Sequence, residues 1–210
     1  KCMAAIPHES ILLNFSAAGI AEAYYKLGET EKANNIAIKL MDVYSQDMEY
    51  YVRLDKNELS RLGNEPDIAM SVGHKLYMLM GKSAQELVAS GQPEKAKEIL
   101  NVFYEQTSKS DALLNFSVVG IVETLFELQE IEKANDLMVK LSGVFRRELS
   151  MSNGKGQLAG RSFNGDPRNA VSTLQRMILL AREHGQSETQ ETLEEDYGFL
   201  LENLPEDFMR

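Results

Sequence analysis

Leu13, Ala17, Ile20, Tyr24 and Leu27 recur at steps of three and four residues, and so do Ala33, Ile36, Ala37, Leu40 and Tyr44. That spacing lays one apolar stripe along each of two amphipathic helices. Gly28 separates the runs, where a helix C-terminus takes a residue that tolerates positive φ. The predicted unit is a helical hairpin. Residues 112–146 repeat residues 11–45 without a gap, at an offset of 101. The stretch LLNFS at 12–16 returns at 113–117, and Gly19-Ile20 returns as Gly120-Ile121. Glu31-Lys32-Ala33-Asn34 returns as Glu132-Lys133-Ala134-Asn135. Matches this dense identify an internal duplication. Gln129 replaces Gly28 in the second copy, so that turn must form without glycine, at a modest strain cost.

A second hairpin repeats less strongly. Gly91 and Gly185 mark its turns, at an offset of 94. Amphipathic runs precede them at about 66–89 and 167–184. Pro93 suits a first helical turn, Asp166-Pro167 reads as an N-cap followed by N1, and Ser187 with Gln190 reads as a capping box. The expected fold is all-α: a helical-hairpin solenoid of two duplicated four-helix modules, in one domain spanning 1–210. Module one covers 10–107 and module two 111–204. A less regular connector lies inside each, at 50–66 and at the Gly-rich 150–167. With Gly154, Gly156, Gly160 and Gly165, the second connector is expected to be the most mobile part of the chain. Residues 1–6, KCMAAI, are expected to be the last turn of a helix whose start precedes Lys1, and the chain a piece of a longer protein.

Composition agrees with helix. Leu, Ala, Glu, Lys and Met are frequent, Trp is absent, and 43% of the 210 residues are hydrophobic, enough for one core. The formal charge is −10, with 32 acidic and 22 basic residues. Phosphate backbones and anionic membrane surfaces repel such a chain, so nucleic acid is not an expected partner. No apolar run approaches the length of a bilayer span, so direct membrane insertion is not expected either. The single cysteine, Cys2, forms no internal disulfide and no Cys-rich metal site.

Gly28 with Ala33 and Gly91 with Ala96 give the pattern G-x-x-x-x-A, with Tyr24 four residues before the first glycine. This resembles the tetratricopeptide repeat, in which glycine opens the turn and alanine lets two helices cross closely. The turn residues 28, 91, 129 and 185 are spaced by 63, 38 and 56, so the hairpins carry insertions. KCMAAIPHES, IAEAYYKLGETEKAN and YSQDMEYYVRL, with Tyr50-Tyr51, carry a closer resemblance. Together they look like the tetratricopeptide-like C-terminal region of large bacterial multi-pass membrane proteins. Those proteins have an N-terminal domain of unknown function related to protein O-mannosyltransferases. The resemblance implies a tail on the periplasmic side of the inner membrane, with any glycosyl-transfer chemistry in a membrane half outside this chain. Without it, the expected setting is cytoplasmic.

No metalloprotease, nucleophile-elbow or nucleotide-loop motif is present. His8, His74 and His184 are far apart in sequence, which favours structural or solvated roles over metal binding. No cofactor is expected, and this fragment is not expected to be an enzyme. The sequons at Asn14 and Asn115 fall in apolar runs expected to be helical. The leading expectation is a non-catalytic interaction or scaffold domain. Its partner would be a protein or peptide, the membrane half of its own chain included. A free-standing tetratricopeptide-like adaptor is the alternative. A small hydrolase with 150–167 as a lid is the reading from another class. By analogy with tetratricopeptide solenoids, Phe15, Glu22, Tyr25 and Lys26 in module one, and Phe116, Glu123 and Phe126 in module two, line a concave binding face. The competing reading puts the aromatics in the core between helices.

Overall fold

The four hairpin turns, at Gly28, Gly91, Gln129 and Gly185, close with one geometry. The Gly28 N–H donates to Tyr25 O (2.9 Å) and the Glu29 N–H to Tyr24 O (3.0 Å). The same pair of bonds recurs at Gly91 and Gln92, at Gln129 and Glu130, and at Gly185 and Gln186. This is a Schellman ending, which requires a left-handed residue. The φ values are +74°, +75° and +68° at the glycines and +62° at Gln129. The expected glycine-free turn is therefore formed, with Gln129 in the left-handed region. The next helix starts at once: Ala33, Ala96, Ala134 and Gln190 donate their N–H groups to the carbonyls of Glu29, Gln92, Glu130 and Gln186. The three alanines are fully buried.

The structure is a computed structural model and describes residues 9–52, 54, 56–63, 65–152 and 166–204. Every regular element among them is helical. They are α1 (Glu9–Lys26), α2 (Thr30–Val52), α3 (Lys56–Leu62), α4 (Glu65–Ala89), α5 (Pro93–Thr107), α6 (Val119–Glu127), α7 (Ile131–Ser152), α8 (Pro167–Glu183) and α9 (Ser187–Asn203), with 3-10 turns at Asp111–Leu113 and Phe116–Val118. The hairpin α1–α2 packs on α4–α5, α6 packs on both α4 and α5, and α8–α9 packs on α6–α7. One connected apolar core runs from Ala18 to Leu204. At its centre the Tyr77 ring meets Tyr44 edge-on (centroids 6.1 Å) and Phe103 likewise (5.2 Å).

Several expectations change. The two LLNFS stretches do not share a conformation. Residues 12–16 lie inside α1, whereas 113–117 are broken into 3-10 turns. Leu113 and Leu114 are buried, and the turn that ends at Leu113 packs on α2 and α5. Asn115 is extended (φ −150°, ψ 172°), and its side chain accepts the Ser117 N–H. Burial of the leucines against neighbouring helices outweighs a helical preference common to both copies. The sequon at Asn115 is therefore not helical, and Asn115 is buried. The first connector is more regular than expected: α2 runs on through Tyr50-Tyr51 to Val52, and α3 fills most of the remainder. Asp166 caps α8 as predicted, accepting the Arg168 N–H (3.0 Å). The Ser187 capping box does not form, because the Schellman turn makes Gln186 the N-cap, without a side-chain cap bond. Most of the Gly-rich connector, residues 153–165, and the KCMAAI stretch lie outside the described residues.

Candidate functional site

A groove of about 530 Å³ opens where module one meets module two. One wall is a single stripe of α4: His74, Tyr77, Met78, Gly81, Lys82 and Gln85. The other is the 3-10 turn and the first turn of α6: Phe116, Ser117, Val119 and Gly120. The helix break places the second wall. Asn115 halts the chain, Phe116 lies tilted on the His74 ring (centroids 4.9 Å), and the Ser117 hydroxyl makes a short hydrogen bond with His74 Nδ1. Deeper in, Gly81 admits the Ile121 side chain, which would lie 3.3 Å from a Cβ added there. Gly120 borders open space, with nothing within 4 Å of an added Cβ.

The position of the groove follows from the hairpin register. Glu22, Gln85, Glu123 and Leu179 each stand six residues before their turn, and Lys82, Gly120 and Arg176 each stand nine before theirs. Inside module two, Glu123 accepts from Arg176 Nε across hairpins (2.7 Å). Inside module one, Glu22 is held by Lys26 (2.7 Å). That bond holds its carboxyl below the ordinary range, with smaller help from Lys75 and Lys82. At the junction the equivalent positions are Gln85 and Gly120, which offer no opposite charges, and Gly120 has no side chain. Both positions line the groove.

The groove is mainly apolar, and Met78 is 57% exposed in it. Lys82 supplies a cation at the rim, 3.8 Å from Glu86. Burial pushes the His74 imidazole below its ordinary value. No carboxylate lines the groove, so the Ser117–His74 pair has no acid within it to orient the imidazole as an acyl-transfer triad requires. Among the described residues no group of three or more His, Cys, Asp and Glu side chains is placed to hold a metal ion. Comparison of the chain with protein-family models, curated proteins and solved structures finds no match.

The seven residues expected on one binding face are not brought together. Tyr25 and Phe126 are corrections: both are buried between helices and unavailable to a partner. The Tyr25 hydroxyl donates to Asn34 Oδ1 (2.8 Å), and burial pushes its phenol well above the ordinary range. Phe126 stacks on His184 with centroids 4.2 Å apart and planes 7° from parallel. Tyr25 thus faces the helix beyond its own turn, and Phe126 faces the C-cap of α8 in the next hairpin. Glu22 and Lys26 pair with each other on α1, and Glu123 pairs with Arg176. The Phe15 side chain lies outside the described residues. Of the six whose side chains are described, Phe116 alone lines the groove. The missed residues are His74, Met78, Lys82, Ser117 and Gly120. The signal for them in the sequence is the glycine at 120, where the hairpins turning at Gly91 and Gly185 carry Lys82 and Arg176.

Proposed function

We propose that this chain is a non-catalytic interaction domain of tetratricopeptide-like hairpins. Its junction groove receives an extended segment of a partner polypeptide. The groove itself carries this reading: an apolar trough with an exposed methionine, an aromatic wall and one rim cation. Apolar side chains of a peptide suit such a surface, and methionine adapts to different ones. The stacking of hairpins in sequence supports a solenoid-type arrangement. On the family resemblance, the chain would be the periplasmic-side tail of a glycosyltransferase-type membrane protein. The occupant would then include segments of the membrane half. Among the described residues, no helix is long and apolar enough to cross a membrane. As a free-standing adaptor, the same groove would serve a separate protein.

The test is a peptide-display selection on the wild-type chain, counter-selected on Gly120→Phe. The Cβ would meet nothing within 4 Å, and the side chain would extend from a residue that lines the groove. Peptides that bind wild type and not Gly120→Phe, with both proteins equally helical, support the reading. Binding indifferent to Gly120→Phe, or no selectable peptide, contradicts it. The Ser117–His74 pair is the one observation that favours a hydrolase. A fluorophosphonate that labels wild type and not Ser117→Ala would replace the interaction reading with that one.

A further inference from the structure

The duplication provides an internal comparison for every exposed residue of module one. On α1 and just after it, Ile20 and Leu27 are 51% and 74% exposed. Their counterparts on α6 and at its C-cap, Ile121 and Leu128, are 0% and 8% exposed. Ala23, between them, is exposed, while its counterpart Thr124 is fully buried. Positions 20, 23 and 27 form one helical stripe. In module two the equivalent stripe is covered: α4 and α5 pack on α6, and Ile121 lies against Gly81.

The contrast extends to the second helix of the hairpin. Lys133 of α7 donates to Asn101 of α5 (2.7 Å), and Asp136 accepts from Tyr104 (2.9 Å). The counterparts on α2, Lys32 and Asn35, are exposed, and Lys32 pairs with its neighbour Glu29 (3.1 Å). A face two helices wide, covered by a hairpin in module two, stands open in module one.

The other end of the molecule carries the matching half. At the offset of 94, α8–α9 stands where α4–α5 stands. Glu195 of α9 takes the place of Asn101, so docking in the same register sets a carboxylate opposite Lys32. Leu179 of α8, 44% exposed, takes the place of Gln85. It would reach the Gly19-Ile20 end of the stripe and fill the trough that stays open at the module junction. Gln175 stands in place of Gly81, with its amide tied to Tyr197 of α9 (2.7 Å). Glu191 faces Glu29 in this register, with Lys32 beside them.

We infer that the α1–α2 face docks the α8–α9 hairpin of a second copy of this chain, head to tail, in the geometry that joins module one to module two. Because head and tail are different surfaces, the contact is heterologous and adds copies head to tail, into an open filament or, where the rotation closes, a ring.

Sedimentation equilibrium tests this. Wild type should gain average mass with concentration, and less so at high salt, which screens Lys32 from Glu195. Ile20→Glu with Lys32→Glu blocks the head; Leu179→Glu blocks the tail. Each variant alone should stay monomeric, and their mixture should give a one-to-one heterodimer and nothing larger. Lys32→Glu mixed with Glu195→Lys, both exposed single-site changes, should regain the association that each loses alone. A wild type that stays monomeric, a blocked variant that still associates, or a mixture that stays monomeric overturns the inference. The face would then belong to a hairpin of another protein or of more of this chain.

Discussion

Phe126 and Tyr25 occupy one position in two copies of a hairpin, and a single oxygen separates them. Tyr25 satisfies Asn34. In the second copy Asn135 keeps its place, yet its Oδ1 is buried with no partner, although its amide donates to Gln186 (2.8 Å). Restoring the hydroxyl with Phe126→Tyr should stabilise the chain by ~1 kcal/mol, seen as a higher urea midpoint at unchanged slope. The reciprocal Tyr25→Phe should cost ~1–3 kcal/mol by orphaning Asn34. No gain from the first would mean that the added hydroxyl fails to reach Asn135. Gln129 offers a second single-residue test. Its backbone sits at φ +62°, where a Cβ is crowded. Gln129→Gly should stabilise by roughly 0.5–1 kcal/mol, the relief of strain exceeding the added freedom of the unfolded chain; a lower thermal midpoint would refute the strain. The glycine turns and this exception were both legible in the sequence, because a Schellman ending is a local demand. The burial of Tyr25 and Phe126 was not, since apolar spacing marks a stripe without saying whether a neighbour or a ligand covers it.

At the scale of elements, the broken LLNFS segment is decisive. Identical letters form a helix at 12–16 and 3-10 turns at 113–117, so the difference comes from what lies around them. The break shortens α6 to 9 residues, against 18 in α1, and brings Phe116 and Ser117 onto His74. Burial holds the His74 imidazole below its ordinary value of 6.5. As the pH falls, the unfolded chain therefore takes up this proton before the folded one does. The stability due to neutral His74 is full above about pH 6.5, declines as the pH drops towards the lowered value, and levels below it. Wild type should lose more urea resistance than His74→Gln between about pH 7.5 and about pH 5.5. Equal losses would show that His74 is solvated in both states. A sequence reading could place the hairpins here and could not place this break, because the leucines that cause it are buried by α2 and α5, far away in the chain.

For the whole molecule, helical class and the hairpin turns were legible because periodicity and turn residues are properties of the chain itself. The groove was hidden because it is an absence. Gln85 and Gly120 come to line one groove only when α4 packs on α6, far along the chain. On the proposed function, a partner contacts the groove between α4 and α6 rather than the first helix of every hairpin. Backbone hydrogen exchange with and without a groove-selected peptide tests that most directly. The account predicts slowed exchange in 74–85 and 116–121, absent in Gly120→Phe. Slowing confined to 15–26 and 122–127, the face first expected from the sequence, would contradict it.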